Sequence, residues 1–378
     1  MSEAFIISAL RTPIGVGKPT GALAPFAPVN LAAQIIREAI RRVDVDPRRI
    51  DDVVWGCVTP IGDQGANIGR LAGLKAGLPA AVPAVTINRM CGSSQQAVHF
   101  AAQAIISGDM DLVIAGGSEM MSHQPLGADY PAEWPQDFPY QLVHQGVSAE
   151  MMAEKWKLDR EPLDDYAFQS HIRAMAAIHG GLFDNQILKV QRPDGNEVSA
   201  DEGVRMPPDR EKMRSLRPVF KPDGVITAGN SSQVSDGASA LLLASPQAVG
   251  RYNLVPRARL VARVAVGSDP VLMLDGPIPA TRLVLQRAGL ELDEMDVIEI
   301  NEAFASVVLA WGKEFGIQDW SRVNPNGGAI AHGHPLGATG AVLMTKLLHE
   351  LERSGGRYGL QTMCIGHGMA TATILERL

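Results

Sequence analysis

Cysteine is scarce in this 378-residue chain, which has only Cys57, Cys91 and Cys364. Three widely spaced cysteines build no secreted disulfide framework, and they lack the close Cys pair of a zinc site. A reducing, cytoplasmic compartment is therefore expected. Basic charge is also short. Lys and Arg total 34 against 41 Asp and Glu, a formal charge of −7, so no basic face suited to a nucleic-acid partner is expected. An anionic ligand remains possible, because a local Arg or a helix N-terminus can hold one. No apolar run approaches the ~18 residues of a membrane helix. The opening MSEAFIISALRTPIG has no basic stretch followed by an apolar core. Neither a membrane span nor a signal peptide is expected.

What remains is ordinary for a soluble globular protein of two or three units: 46% hydrophobic and 20% charged residues. Short apolar runs alternate with helical patterns. Phe5–Leu10, Asp52–Trp55 and Leu112–Gly116 read as strands. Residues 31–43 place Ile35, Ile36, Ala39, Ile40 and Val43 on one helical face. The Ala-rich stretch 94–107 is apolar on most sides, as a buried helix would be. This alternation predicts an α/β fold. The second half echoes the first: Ile50–Gly56 follows an amphipathic helix, as Met295–Asn301 follows one at 280–288. Ile87-Asn-Arg-Met-Cys-Gly has a counterpart in Val323-Asn-Pro-Asn-Gly-Gly. The echo suggests two copies of one unit about a pseudo-two-fold. Between them lies a proline-rich texture at 122–146 and 191–223, read as an inserted loop domain over a functional site.

Four segments carry chemistry. Cys91 ends a strand pattern (85–88) and opens a helix, where the positive N-terminus favours a thiolate. A buried, inert cysteine is the other reading. Residues 327–340 set five glycines and Pro335 around His332 and His334, just before a helix at 341–351. A histidine on a rigid turn can accept a thiol proton, although a plain tight turn would look similar. A phosphate loop is a third reading, without the Lys-Ser/Thr it needs. Cys364-Ile-Gly366-His-Gly368 offers a second thiol among glycines. Asn301-Glu-Ala-Phe-Ala ends a strand pattern, where Asn301 can face a cleft or cap a helix.

Taken together, NRMCGSS, NEAFA, GGAIAHGHPLGATG and CIGHG resemble the segments of the thiolases, in order and separation. So do RTPIG, GDMDLVIAGGSEMMS and TAGNSSQVSDGASA. The resemblance covers nearly the whole chain. It implies a five-layered αβαβα core from two similar halves. Residues 1–121 would form the N-terminal half, completed by about 228–254, and 255–378 the C-terminal half. The loop domain, 122–227, would cover the CoA site. It also implies roles. Cys91 would be the nucleophile, His334 its proton acceptor, and Cys364 the acid and base at C2 of the acetyl unit. Asn301 would hold a water that, with His334, stabilises an enolate oxygen. The N–H groups of Cys91 and Gly366 would form a second oxyanion hole. Coenzyme A and acyl-CoA would be substrates, with no metal or redox cofactor. Arg205 would contact the adenine, Ser232 the pantetheine, and His144 would line the pantetheine tunnel. Read bare, these three are equally a surface charge, a turn residue and a packing histidine. A homodimer or homotetramer is implied, its dimer contact along the sheet edge of the N-terminal half.

Other features direct the reading further. Cys57, His99 and His332 are expected to be structural, and the pairs Met120-Met121 and Met151-Met152 core or tunnel wall. His367 stands where many thiolases have glycine, and it is expected to tune acyl acceptance. Gln145, Gly276–Ala280 and Gln361-Thr-Met-Cys favour degradative cleavage of a 3-ketoacyl-CoA over acetoacetyl-CoA synthesis. A ketoacyl synthase would lack Cys364. A non-catalytic acyl-CoA or lipid-binding relative would lack the nucleophile or the base, and here all four positions are filled.

Overall fold

Proline and glycine set the ends of the elements in this chain. The computed structural model describes residues 3–378. Helix α1 runs Pro28–Arg41, three residues earlier than its apolar pattern, because Pro28 at the first turn is preset for helix. Its buried Leu31, Ile35, Ile36, Ala39 and Ile40 face a sheet. The elements then alternate as the sequence predicts. Strand β1 spans Phe5–Arg11 and β2 Asp52–Gly56. Helix α2 spans Ile68–Ala76, strand β3 Ala84–Ile87, helix α3 Ser93–Ser107 and strand β4 Leu112–Met120. An insert follows, with α4 at Gln145–Lys155 and α5 at Arg160–His179. Beyond it come β5 (Ser235–Ala244), β6 (Ala258–Gly267), α6 (Pro277–Ala288), β7 (Val297–Ile300), α7 (Ala305–Glu314), α8 (Leu336–Ser354), β8 (Tyr358–Ile365) and β9 (Met369–Arg377).

The strands lie in the order β7-β8-β9-β6-β1-β5-β4-β2-β3. In the sheet the two halves join where Phe5 and Ile6 of β1 meet Arg259 and Ala258 of β6. On each side of that seam the pattern is the same. In the first half, β3 and β4 flank β2 in parallel, and then β5 and β1 run antiparallel. In the second half, Val323 and β8 flank β7 in parallel, and then β9 and β6 run antiparallel. The internal echo is thus a structural repeat.

Helices α3 and α8 pack against each other between the two half-sheets. Ala97, Ala101, Ile105, Met344, Leu347 and Leu351 form one core with residues from both sides. Helices α1 and α2 cover the outer face of one half, α6 and α7 that of the other. The layers are therefore αβαβα. Helix α8 starts at Leu336, so the expected start near 341 is corrected. Gly337 and Gly340 lie inside its first turns. A Cβ at Gly340 would sit 2.4 Å from Gln95 N of α3, and one at Gly337 would sit 2.8 Å from Cys57 Cα. These glycines bring two helices close rather than form a loop.

Candidate active site

The turn that presents Cys91 is held by its own motif. Asn88 Oδ1 accepts from Met90 N–H at 2.8 Å, and Met90 takes a left-handed φ of 44°. Ser93 Oγ accepts from Arg89 N–H and donates to the Met90 carbonyl. Gly92 follows Cys91, and a Cβ there would lie 2.3 Å from Ile365 Cδ1. The missing side chain lets the end of β8 come down on the nucleophile turn. That end carries Cys364, Ile365 and Gly366. The N–H groups of Gly366 and of Cys91 itself point at the Cys91 sulfur.

Burial decides the charge of both thiols in the empty site. It pushes Cys91 up to about 11, and the two N–H donors only partly pull it back. Burial also pushes Cys364 far up, and a charge on Cys91 adds to this. Burial thus works against the thiolate that the helix N-terminus is expected to favour. A thiolate here has to be made as the sulfur attacks, with a base at hand.

His334 stands ready for that. Its N–H donates to the Gln233 carbonyl at 3.0 Å, tying it to the first half. Thr339 Oγ1 donates to the Pro335 carbonyl at 2.9 Å, so it accepts from His334 Nδ1–H at 2.6 Å. This assigns the tautomer and leaves Nε2 as an acceptor, with Asn301 Nδ2 as its donor. Burial holds the imidazole down to about 4, so it is neutral at pH 7. Nε2 lies 3.4 Å from Asn301 Nδ2. Asn301 directly follows β7 and is fully buried, and its Oδ1 has no partner. A buried amide oxygen left open is a place for a water or a substrate donor.

Cys91 thus lies by Gly366 and Cys364 and clusters with Leu336, Met363 and Ile365, and His334, two residues before Leu336, lies by Asn301. His144, Arg205 and Ser232 do not share one place. His144 caps α4, with Nδ1 accepting from Gly146 N–H, and stacks on Phe220 at 5.1 Å. It lines a pocket of about 320 Å³ beside Gly366 and His367. Arg205 lines a second pocket of about 380 Å³, with Pro207, Lys212, Leu216, Gly229 and Ile330. Ser232 lines neither, and its N–H donates to the Ala303 carbonyl at 2.9 Å.

Sequence reasoning missed three buried supports. Glu119 accepts from the N–H groups of Val58, Thr59 and Gly337 and from Gln64 Nε2. It joins the loop after β2 to the start of α8. Glu302 accepts from Tyr166, Ser170, Asn324 and the Ile330 N–H. Asp201 binds Arg11 and His332. The available signal was charge inside apolar runs: Glu119 interrupts a wholly buried strand. Cys57, His99 and His332 are structural. Cys57 lies by Glu119, His99 Nε2 is 2.7 Å from Thr373 Oγ1, and His332 is clamped between Asp201 and the Asn326 carbonyl.

The sequence matches two family profiles end to end, described as "Thiolase, N-terminal domain" over residues 4–247 and "Thiolase, C-terminal domain" over 254–377. The chain belongs to the thiolase family. It is 50% identical to the steroid 3-ketoacyl-CoA thiolase FadA6 of Mycobacterium tuberculosis, over all of this chain and 95% of that one. It is 44% identical to the 3-oxoadipyl-CoA/3-oxo-5,6-dehydrosuberyl-CoA thiolase of Escherichia coli, over the full length of both. The acetyl-CoA acetyltransferase of Bacillus anthracis superposes with a TM-score of 0.91 at 37% identity, over 100% of this chain and 99% of that one. This thiolase is an acyltransferase acting on CoA thioesters. None of its described helices is long and apolar enough to cross a membrane.

Proposed function

We propose that this thiolase cleaves a 3-ketoacyl-CoA with coenzyme A, in two half-reactions through an S-acyl cysteine. What supports this reading is two buried thiols, one from each half, close enough that a charge on Cys91 bears on Cys364, together with the neighbouring His334–Asn301 pair. In the first half-reaction Cys91 Sγ attacks the C3 carbonyl carbon, and its proton passes to His334 Nε2. The C2–C3 bond breaks, and its electron pair becomes an enolate. Asn301, through a water on its open Oδ1, and protonated His334 hold the enolate oxygen. Cys364 gives its proton to C2, and acetyl-CoA leaves. In the second half-reaction the Cys364 thiolate takes the proton of an incoming CoA thiol. That sulfur displaces Cys91, which takes its proton back from His334, while the N–H groups of Cys91 and Gly366 hold the carbonyl oxygen.

The insert, with the Arg205 and His144 pockets, is the proposed CoA cover. The His144 pocket is also lined by His367, Tyr130 and Trp134, and this added space supports cleavage of longer acyl chains over acetoacetyl-CoA synthesis. Edge strand β3 has one neighbour, and Val85, Leu71 and Leu74 stand exposed along it. This supports a homodimer through that edge, alone or within a homotetramer. Three unpaired cysteines fit a reducing compartment such as the cytoplasm.

The test is CoA-dependent loss of a panel of 3-ketoacyl-CoAs by wild type, Cys91→Ala and Cys364→Ala. Turnover by wild type with no acyl exchange in Cys91→Ala is expected. Cys364→Ala should still acylate Cys91 from an activated acyl-CoA yet not break the C–C bond. Acetoacetyl-CoA preferred far above every longer tail would reverse the degradative reading.

A further inference from the structure

Glu119 is a buried carboxyl whose four hydrogen-bond donors are all neutral. It lies on β4, two residues before Met121, and is wholly buried. Its Oε2 accepts from Val58 N–H at 2.8 Å and from Gly337 N–H at 2.9 Å. Its Oε1 accepts from Thr59 N–H and from Gln64 Nε2, each at 3.1 Å. A carboxylate buried without a counter-ion is costly, and burial raises its pKa despite these donors. The segments it joins are those around the nucleophile. Val58, Met121 and Leu336 form one buried cluster with Cys91, Met363 and Ile365. Glu119 holds Val58 by its own N–H, Leu336 through the next residue, and Met121 by the strand they share. Leu336 stands two residues after His334. The fit at Gly337 is close: a Cβ there would lie 2.7 Å from Glu119 Oε2 and 2.8 Å from Cys57 Cα. Burial first, and then a charge on Glu119, oppose ionisation of Cys91, so the carboxylate lies within electrostatic reach of the nucleophile.

Resting on the proposed thiolytic function, we infer that Glu119 is a positioning residue for acyl transfer, which fixes the start of α8 behind His334 and the Val58 wall of Cys91 to one common point. Val58 and Thr59 follow β2 in the first half, and Gly337 opens α8 in the second, so the carboxylate ties the halves together beside the nucleophile. A carboxylate suits this because each oxygen faces two N–H groups. An amide would turn its own N–H groups toward one of those pairs. An apolar residue would leave three backbone N–H groups buried without this acceptor. A shift of about 1 Å between reacting groups costs roughly a hundredfold in rate, even when the change lies away from the chemistry.

The experiment is exchange of labelled coenzyme A into acetyl-CoA, which acylates and deacylates Cys91 without breaking a C–C bond. It is run with wild type, Glu119→Gln, Thr339→Val and the double variant, each shown to be folded by its urea midpoint. Glu119→Gln should lower kcat roughly a hundredfold and leave KM unchanged, because Glu119 lines neither the Arg205 nor the His144 pocket. Thr339→Val loosens the His334 ring and should cost about tenfold by itself. Both act through His334, so the double variant should lose little more than about a hundredfold, whereas independent losses would multiply to about a thousandfold. Should Glu119→Gln not fold, the cycle is run with Glu119→Asp, which keeps the charge and withdraws it by one methylene. Its kcat should then fall by less than a hundredfold, again without multiplying in the double variant. An unchanged kcat in the folded variant overturns the inference, as does a loss confined to KM or a fully multiplicative double variant. A wild type that exchanges no coenzyme A overturns the proposed function, and this inference with it.

Discussion

Replacing Asp201 by asparagine should destabilise this thiolase far more than a surface change, although the shape is kept. Asp201 lies in the insert and is nearly fully buried. It accepts from Arg11 Nη1 at 2.7 Å and Nη2 at 3.1 Å, from Ile14 N–H at 2.9 Å and from His332 Nδ1 at 2.7 Å. Arg11 belongs to β1 of the first half, and His332 sits two residues before His334 in the second. His332 Nε2 lies 2.8 Å from the Asn326 carbonyl oxygen. Burial favours the neutral acid, but the Arg11 guanidinium and His332 outweigh it and hold the Asp201 carboxyl well below the usual range. Asp201→Asn leaves Arg11 buried without a counter-ion. Breaking a buried pair from one side costs about 3–5 kcal/mol. The assay is urea unfolding at pH 7, with limited proteolysis across 180–205 as a local readout. The sign with pH is fixed. A depressed carboxylate pKa contributes fully above the unfolded value of ~3.9 and is lost as pH falls below it. The gap between wild type and variant should hold from pH 5 to 8 and close only in stronger acid. A loss under about 1 kcal/mol at pH 7 would sink the reasoning, since solvent would then be screening the pair.

Two further outcomes follow from the same chemistry. Thr339→Val removes the acceptor that fixes the His334 tautomer, so kcat should fall on the order of tenfold with little change in KM; an unchanged kcat would mean the Pro335–His334 backbone alone orients the ring. Between pH 7 and pH 5 the titrating groups should largely offset one another. Burial holds His99 down to about 3, His171, His334 and His349 to about 4, and lowers His367, so these five take up protons mainly on unfolding. Burial raises Asp236 to about 6, Glu299 to about 7, and Glu119 and Asp52, and against burial the Ala24 carbonyl and Asp63 raise His123, so these five oppose the trend. Five against five leaves stability nearly level. A urea midpoint that falls steeply from pH 7 to 5 would refute that balance.

The repeat and the order of strands were legible because apolar runs and amphipathic helices report burial directly. The four chemical segments were legible because each stands at an element end, and three of them set a reactive side chain beside glycine or proline. The thiol charge at Cys91 was not. A helix start can be read from sequence, whereas desolvation depends on β8 closing over the turn from 270 residues away. Gly337 and Gly340 were read as loop because glycine marks loops and tight packing alike, and only the partner helix α3 separates the two. The Arg11–Asp201–His332 clamp joins residues with no sequence proximity, so no local pattern announces it. Tyr130 and Trp134 lie in an irregular segment, where spacing carries no information about facing.

The repeat explains why the site is assembled as it is. The register pairs Gly56 of β2 with Gly117 of β4, and Ile300 of β7 with Thr362 of β8. Counting on from those pairs, Cys57 matches Asn301 and Glu119 matches Cys364. Cys91 stands two residues before α3, as His334 stands two before α8. One backbone thus aims the same three positions at one cleft twice, from opposite sides of the central helix layer. The copies then divide the labour. In the proposed mechanism, one supplies the nucleophile where the other supplies the base. One fills the strand-end position with a thiol, and the other with a buried carboxylate whose acceptors bind Val58, Thr59 and Gly337. Glu119 therefore stands in the matching place to Cys364 and fixes the helix start that follows His334. A single half could present Cys91 or Cys364, but the proton path between nucleophile, base and second thiol exists only where the two copies meet.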